Sequence, residues 1–288
     1  MTDTVNSKQP TPDQAEYNAF FPSPHSLGEF TSPRTPLDGD HYPDAYQGTR
    51  KILMIAADER YLPIDTGKLF STGNHPVETL VPMHHLHQAG FDFDVATLSG
   101  NPVKFELWAM PGEETAITDL HRKYLPQFLE PRKLDEIADA LEAGADYIGV
   151  FIPGGHGALI GLPQSEAVAR VLNWAMANDR HVISLCHGPA AFLAAGAFGQ
   201  ASPFAGYSIC AFPDAMDRKT PEIGYMPGGL TWFFGERLQA QGVTLLNSDV
   251  TGATHQDRKV ITGDSPFASN ALGKLAARAL LDEAARSG

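Results

Sequence analysis

The chain has 288 residues, of which 43% are hydrophobic and 19% are charged, so it is long enough to bury a sizeable core. Its formal net charge of −13 repels phosphate backbones and anionic lipid, which argues against tight binding of nucleic acid. No apolar run is long enough to span a bilayer, and the polar N-terminus lacks the apolar core of a signal peptide. The cytoplasm is therefore the expected location.

Residues 1–48 are rich in Pro, Ser, Asp and aromatic residues and show no sustained hydrophobic period. We predict that they form an irregular N-terminal arm. Disordered tails are usually poor in aromatic residues, so the arm is expected to pack against the rest of the chain. The continuous apolar run 51–57 then predicts a first strand that is buried on both faces.

Predicted strands and helices alternate along residues 49–288, which form the predicted α/β catalytic domain. The predicted strands are 51–57, 91–98, 147–152, 181–185 and 259–262, and the predicted helices are 76–89, 133–143, 163–178, one from about 189, 231–241 and 266–284. This alternation predicts an α/β fold with a doubly wound, mostly parallel sheet, in which sites gather where strands end and helices begin. The proline-containing segment 99–132 breaks the rhythm and is interpreted as an inserted cap, built together with the arm into a smaller domain.

The segment HVISLCHGPAAFLAAG (181–196) carries an apolar strand directly into Cys186 and His187. Gly188 relaxes the backbone there, and Pro189 suits a first helical turn. This pattern is typical of a nucleophile elbow, where nearby helix N–H groups favour the thiolate. The alternative is a small buried core cysteine. We prefer that interpretation for Cys210 within YSICAF, which we predict to be a strand residue. With two cysteines in a reducing compartment, no disulfide is expected.

Two further segments carry candidate groups. In VFIPGGHGALIGLP (150–163), Gly154 and Gly155 follow a buried strand and can present backbone N–H groups to an oxyanion, although a plain tight turn is the alternative. A phosphate loop is disfavoured, because the Lys and Ser/Thr that end that motif are absent. Glu78 lies in a first helical turn, where it either exchanges protons with a substrate or only interacts with the helix dipole. His84, His85, His87 and Asp92 are candidate metal ligands or helix-surface residues that bind no metal.

Together, these segments resemble the HchA-type glyoxalase III and protein deglycase family of the PfpI-like superfamily. The resemblance covers nearly the whole chain. Its motifs are NAFFPS (18–23), AADERYLP (56–63), GKLFSTGNHP (67–76), FIPGGHGALIGLP (151–163), ICAFPDAMDRKTPEIGYMPG (209–228) and TGDSPFASNALGKLA (262–276). The resemblance implies a flavodoxin-like sheet of the glutamine-amidotransferase type, a homodimer, and a smaller cap domain made from the arm and 99–132.

The resemblance also implies roles for individual residues. Cys186 matches the family nucleophile, His187 the adjacent histidine of the triad and Asp217 its acid. Glu78 matches the carboxyl group that contacts the cysteine, and Gly155 and His187 match the backbone donors to the oxyanion. These matches predict the catalytic set.

The match is incomplete at the divalent-metal site of that family, which uses two histidines and a glutamate. His87 stands at one histidine position, Asp92 replaces the glutamate, and Tyr124 replaces the second histidine. His121, three residues before Tyr124, would share its helix face and is the candidate substitute. No cofactor is expected to be required. Zinc is the candidate metal, but the changed ligands argue against tight zinc binding.

The implied reaction converts methylglyoxal to lactate without glutathione or a nucleotide cofactor, because the protein thiol takes the place of an external one. Removal of early dicarbonyl adducts from proteins and nucleotides would use the same nucleophile. A weak aminopeptidase-like activity is a related alternative, since the triad has residue types suited to acyl transfer. The alternative from a different class is a stress-induced holding chaperone that binds unfolded clients on exposed apolar surface.

Overall fold

The computed structural model describes residues 6–287, and side chains through residue 286. Its strands are, in chain order, β1 Thr11–Pro12, β2 Ala19–Phe21, β3 Ile52–Ile55, β4 Tyr61–Pro63, β5 Leu69–Ser71, β6 Phe93–Thr97, β7 Arg132–Lys133, β8 Gly149–Ile152, β9 His181–Leu185, β10 Ser208–Ile209, β11 Thr244–Leu245, β12 Thr254–Asp257 and β13 Val260–Gly263. The α-helices are α1 Pro24–Phe30, α2 Pro76–Gln88, α3 Thr115–Leu129, α4 Leu134–Glu142, α5 Glu166–Ala177, α6 Phe192–Ala195, α7 Asp214–Asp217, α8 Phe234–Ala240 and α9 Ser269–Ser287.

The main sheet has seven strands in the order β12-β13-β9-β8-β3-β6-β7. Every neighbouring pair is parallel except β12 and β13, which pair antiparallel at one edge. The doubly wound, mostly parallel sheet predicted from the alternation of strands and helices is confirmed. Because the central strands are parallel, their carboxyl ends meet at one edge of the sheet, and the loops that follow them lie side by side.

The two faces of the sheet are covered by two separate apolar clusters, as the side-chain alternation of strands requires. Leu53 and Ile55 of β3 pack in the cluster that includes residues of α4, α5, α6 and α8. Ile52 and Met54 of the same strand pack in the cluster that includes residues of α2, α3 and α9. All four residues of β3 are fully buried, which agrees with the prediction from the continuous apolar run.

Phe151 in the central strand β8 offers a direct test of this packing. Its side chain is fully buried, so Phe151→Ala should remove apolar contacts, leave a cavity and lower the free energy of unfolding by about 3–5 kcal/mol. Phe267→Ala is the matched control, because that ring is 73% exposed and its loss should change stability by less than about 0.5 kcal/mol. Equal effects of the two changes in denaturant titrations would contradict the assigned core.

The arm differs from the irregular segment that we predicted. It holds β1, β2 and α1, and β2 pairs in parallel with β5 in a small sheet of order β1-β2-β5-β4. Helix α1 begins with a signal visible in the sequence: Ser23 Oγ accepts a hydrogen bond from the Ser26 N–H, and Pro24 follows the cap. The strands β1 and β2 had no comparable signal in the sequence, because β2 forms by pairing with β5, which begins 48 residues after β2 ends.

Aromatic and acidic side chains attach the arm to the main sheet's helices, in agreement with the expectation that it packs. The Tyr46 ring stacks on Phe91 at 4.8 Å, and the Tyr42 hydroxyl lies 2.9 Å from His85 Nδ1. His84 Nε2 lies 2.8 Å from Asp40 Oδ2. These two histidines are therefore buried arm contacts, not the metal ligands or surface residues considered above. The division into arm, cap and catalytic domain stays a prediction.

Among residues 6–287, no helix combines the length and the apolar character that crossing a membrane requires.

Candidate active site

Two loops meet at the carboxyl edge of the main sheet, after β8 and β9. The parallel register places Ile152 of β8 beside Ser184 of β9. The chain then continues into Gly154 and Gly155 after β8, and into Cys186 after β9. The two sequence segments singled out above therefore form one site, and its cysteine is buried with only 4% of its surface exposed.

Cys186 occupies a strained turn of the elbow type. Its φ of 56° lies in the left-handed region, which costs a non-glycine residue roughly 1–2 kcal/mol. Backbone hydrogen bonds hold the turn: the Cys186 N–H donates to the Gly263 carbonyl at 2.9 Å, and its carbonyl accepts from the Phe212 N–H at 2.9 Å. A 3₁₀ turn over Gly188–Ala191 follows. This bonding pattern fixes the direction of the thiol relative to the sheet.

The predicted triad residues form a chain of polar contacts from Cys186 through His187 to Asp217. Cys186 Sγ is 3.3 Å from His187 Nδ1, and His187 Nε2 is 2.9 Å from Asp217 Oδ2. Asp217 lies on the short helix α7 and is fully buried. Burial alone would raise the pKa of Asp217, but the charge of His187 and the hydrogen bonds from the neighbouring histidines outweigh it and lower that pKa. An ionised Asp217 orients His187 toward the thiol.

A second histidine, which the sequence did not single out, also contacts the triad acid. His156 Nε2 lies 3.0 Å from Asp217 Oδ1, and the His156 ring centroid lies 3.9 Å from that of His187. Burial and then the charge of His187 lower the pKa of His156, so its neutral form is favoured. His156 therefore holds the second oxygen of Asp217. Its position directly after Gly154 and Gly155 was the available signal.

Glu78 projects from the first turn of α2 against Cys186. It is fully buried, and neither of its carboxyl oxygens makes a hydrogen bond of standard geometry with any of the described residues. Burial raises the pKa of Glu78 well above its ordinary value, whereas the Cys186 thiol and the Gly155 N–H act in the opposite direction. The protonated form of Glu78 is thus favoured, and it is placed to exchange a proton with the cysteine.

The cysteine itself differs from the expectation of a thiolate favoured by a helix start. Burial, followed by the charge of Glu78, raises the pKa of the Cys186 thiol well above its ordinary value. The Gly155 N–H opposes this rise but does not outweigh it. Ionisation of Cys186 therefore depends on transfer of its proton to a neighbouring group. His187, whose Nδ1 lies 3.3 Å from the sulfur, is the neighbour that can accept it, since Glu78 is favoured in its protonated form.

The predicted oxyanion glycines serve two different functions. Gly155 has a φ of 101°, which favours glycine, and its N–H interacts with both Cys186 and Glu78. Gly154 leaves room for the reactive groups, since a Cβ there would overlap a Glu78 carboxyl oxygen and lie 2.8 Å from the Cβ of Cys186. Gly155 is thus the better placed of the two as a backbone donor near the thiol.

Gly154→Ala should therefore inactivate the site without a change in its chemistry. The added methyl group must displace Glu78 or Cys186, and misplacement by about 1 Å costs on the order of 10²-fold in rate. Gly112→Ala is the control, because no atom lies within 4 Å of a Cβ at that position. Steady-state kinetics of both variants test this expectation. A Gly154→Ala enzyme with unchanged kcat would show that the close approach at Gly154 is not required.

Two of the three candidate metal residues lie close together, but their neighbours are not metal ligands. The Tyr124 hydroxyl donates to Asp92 Oδ1 at 2.7 Å and lies 3.4 Å from His87 Nδ1. His87 Nε2 lies 2.8 Å from the Lys123 ammonium. His121 instead contacts the rings of Phe105 and Phe128. A lysine cation beside His87 opposes a second cation there, so these residues do not fit the metal of the resembled family.

Among the described residues, the metal-compatible cluster is that of His156, His187 and Asp217, whose ligand atoms lie within 4.8 Å of one another. These atoms already hydrogen-bond to each other in the triad. Cys186 and Cys210 are both free thiols. Cys210 lies one residue after β10, not within a strand as predicted, and its N–H donates to Thr262 Oγ1 at 2.9 Å.

Known proteins share both the sequence and the fold. A family model described as the DJ-1/PfpI family matches residues 69–210. The chain is 61% identical over 275 residues to "Protein/nucleic acid deglycase HchA" of Escherichia coli O1:K1, with 96% of each chain covered. It is 60% identical to the protein of that name from Shigella boydii serotype 18, again over 96% of each chain.

Two solved structures show the same fold at low sequence identity. Glyoxalase III from Candida albicans has a TM-score of 0.60 and 19% identity, with 79% of this chain and 97% of that chain covered. The Rapid Encystment Protein of Francisella tularensis has a TM-score of 0.64 and 15% identity, with 81% and 99% covered. With its elbow cysteine, buried glutamate and near full-length similarity to deglycases, the chain belongs to the DJ-1/PfpI family as an HchA-type member.

Proposed function

We propose that this protein is a cysteine-dependent enzyme that converts methylglyoxal to lactate without glutathione and removes early dicarbonyl adducts from proteins and nucleotides. The observation that carries the proposal is the juxtaposition of the Cys186 thiol with the buried Glu78 and with His187. The relatives named protein/nucleic acid deglycase, at about 60% identity over 96% of the chain, support the same activity.

The first step forms a covalent bond between Cys186 and the substrate. The sulfur adds to the aldehyde carbon of methylglyoxal, the thiol proton passes to His187, and the protonated Glu78 gives its proton to the aldehyde oxygen, which leaves Glu78 as a carboxylate. The product is a hemithioacetal, and no oxidation has occurred. The N–H of Gly155 stabilises negative charge that develops on the oxygen during addition.

The second step is an internal redox reaction. Glu78 as carboxylate removes the proton from the former aldehyde carbon, which gives an enediolate, and a proton is then delivered to the neighbouring ketone carbon. The first carbon is oxidised to a thioester while the second is reduced to an alcohol, so no external oxidant is needed. Water, activated by His187 that Asp217 orients, hydrolyses the thioester to lactate and restores the thiol.

Deglycation follows the same reaction steps, but its first step is the attack of Cys186 on the adduct instead of on free methylglyoxal. In an early adduct, the carbon that bears the hydroxyl is bonded to nitrogen. Its C–N bond breaks, the amine leaves with a proton, and the C–S bond to Cys186 forms. The resulting hemithioacetal then proceeds to lactate, so that the net reaction consumes one water and releases the free amine.

A turnover assay without glutathione tests the proposal. Purified protein should form lactate from methylglyoxal, and the chirality of the lactate should be uniform. For deglycation, the purified adduct of Nα-acetylarginine should be consumed faster than it dissociates spontaneously. If no lactate forms, the proposed enzymatic activity is refuted. If the adduct is consumed no faster than it dissociates spontaneously, the protein acts only on free dicarbonyls.

We further propose that the protein acts as a homodimer in the cytoplasm, as the family resemblance implies. The holding-chaperone alternative is supported only by apolar side chains that are exposed on the surface. Among the described residues, the exposed large apolar side chains include Tyr17 and Phe30 of the arm, which are 89% and 51% exposed. Unchanged suppression of client aggregation by a Cys186→Ala variant would separate this activity from the catalytic one.

A further inference from the structure

A second buried carboxyl group, Glu106, lies beside the catalytic residues and has no role in the reaction above. Its side chain has no exposed surface. One oxygen accepts a hydrogen bond from the Thr72 hydroxyl at 2.5 Å, whereas Oε2 is buried with no partner. An unsatisfied carboxyl oxygen is costly to bury, so a ligand that donates to it would recover that cost.

Glu106 reaches the active site through backbone contacts between three segments. Its N–H donates to the Asn74 carbonyl at 3.0 Å, and the Gly157 N–H donates to the Gly73 carbonyl at 3.0 Å. Residues 73–74 thus lie between Glu106 and the turn that contains Gly155. The charge of Glu106 also acts on both Glu78 and His156, which places its carboxyl group on the same side as the reactive groups.

Aromatic rings flank this carboxyl group. Trp108 follows Glu106 by two residues, and its ring centroid lies 5.9 Å from that of Tyr225. Tyr225 in turn lies 5.7 Å from the ring of His156. Both Trp108 and Tyr225 are partly exposed to solvent, and Trp108 Nε1 is a further buried atom with no partner. Both rings are therefore accessible to solvent near Glu106, whose charge acts on the Tyr225 hydroxyl.

No cation pairs directly with Glu106. No Lys, Arg or His nitrogen among the described residues lies within ion-pair distance of its carboxyl group. The charges of His156 and then Arg60 act on it from further away, and Arg60 itself donates to the carbonyls of Thr72 and Phe105 at 3.5 and 3.4 Å. Burial lowers the pKa of His75 to about 3, so this neighbouring imidazole is neutral. Burial raises the pKa of Glu106 to about 7, and a bound cation would favour its ionised form.

We propose that Glu106, with the faces of Trp108 and Tyr225, forms a subsite that binds the guanidinium group of arginine-derived dicarbonyl adducts. A planar guanidinium can donate to the free carboxylate oxygen while it stacks on an aromatic face. The inference rests on the proposed function, because it assigns the nitrogen-bearing part of the adduct to Glu106 and these two rings while Cys186 attacks the carbon. Glu106 is thus a specificity residue and takes no part in proton transfer.

Glu106→Gln tests the subsite with two substrates, the purified methylglyoxal adduct of Nα-acetylarginine and free methylglyoxal. The amide still accepts from Thr72 but loses the negative charge. We expect kcat/KM for the arginine adduct to fall roughly tenfold to a hundredfold, since one charge-assisted hydrogen bond is lost. Free methylglyoxal has no guanidinium, so its kcat/KM should change by less than about threefold.

Inhibition by free Nα-acetylarginine provides a binding readout that does not depend on adduct chemistry. It should inhibit methylglyoxal turnover competitively in the wild type and about tenfold less well in Glu106→Gln. Glu106→Asp keeps the charge and should restore part of the discrimination. Glu113→Gln, at an exposed acid of the same segment, is the matched control and should behave as wild type.

The outcomes separate the two proposals. Equal losses on both substrates in a folded Glu106→Gln enzyme would overturn the subsite and indicate a role in catalysis or folding. Unchanged kinetics on both would also overturn it. A wild-type protein that forms no lactate from methylglyoxal would instead refute the proposed function, whereas competitive inhibition by Nα-acetylarginine can be seen only if that function holds.

Discussion

Replacement of Cys186 by alanine is expected to lower kcat for methylglyoxal by at least about 10³-fold, because loss of a covalent nucleophile removes the whole reaction path through the thioester. The change removes one buried sulfur and leaves the backbone of the elbow in place. Lactate formation followed over hours, with the protein verified as folded by its thermal transition, measures the residual rate. Mass spectrometry should detect a transient acyl adduct on the wild type and none on the variant.

Cys210→Ala is the matched control for this change. Cys210 is also a buried free thiol, with 3% of its surface exposed, but its neighbours include no carboxyl or imidazole hydrogen-bond partner. We expect near wild-type kcat from this variant. Full activity of Cys186→Ala, or equal losses from the two changes, would show that the reaction does not proceed through a cysteine at the elbow.

Glu78→Gln should have the second largest effect. The amide has the shape of the acid but can neither give a proton to the aldehyde oxygen nor take one from the carbon of the hemithioacetal, and general acid–base catalysis of this kind is worth about 10²–10⁴-fold. Glu166→Gln is the matched control, since Glu166 also lies in the first turn of a helix but is exposed. Solvent-deuterium incorporation into lactate would report whether the carbon-to-carbon proton transfer itself is affected. A Glu78→Gln enzyme with wild-type kcat would exclude Glu78 as the proton carrier.

Glu78→Gln should also alter the way in which the free energy of unfolding depends on pH. Because the pKa of Glu78 in the folded state is raised above the ordinary value of 4.5, the folded protein binds this proton more tightly than the unfolded chain does. The stabilisation is complete below about pH 4.5 and is lost as the pH rises toward the raised pKa. Glu78→Gln removes this dependence. Its free energy of unfolding, relative to wild type, should therefore increase from pH 4.5 to about 8 in denaturant titrations.

Hydrophobic patterning predicted five of the seven strands of the main sheet, β3, β6, β8, β9 and β13, because these strands are buried along most of their length. It missed the edge strands β7 and β12, whose residues are exposed or half-buried. The apolar residues that precede Cys186 predicted a strand over 181–185, and β9 is observed at His181–Leu185. The helix predicted over 76–89 is observed as Pro76–Gln88. The arm was predicted less well, since β2 exists only through its pairing with β5. Short strands of this kind carry too few residues for a period to be detected.

Local sequence patterns were sufficient to predict the alternating α/β architecture, the strand-to-helix position of Cys186 and the family to which the chain belongs. Tertiary packing determines which charges meet in the buried site. It buries Cys186 and places Glu78 against the thiol, so that the pKa of Cys186 is raised where a helix start predicted the opposite, and it brings His156 to Asp217. It also put Lys123 beside His87, where a metal was considered. These outcomes depend on strand register and loop packing, which bring together residues that are distant in the chain and which no local pattern encodes.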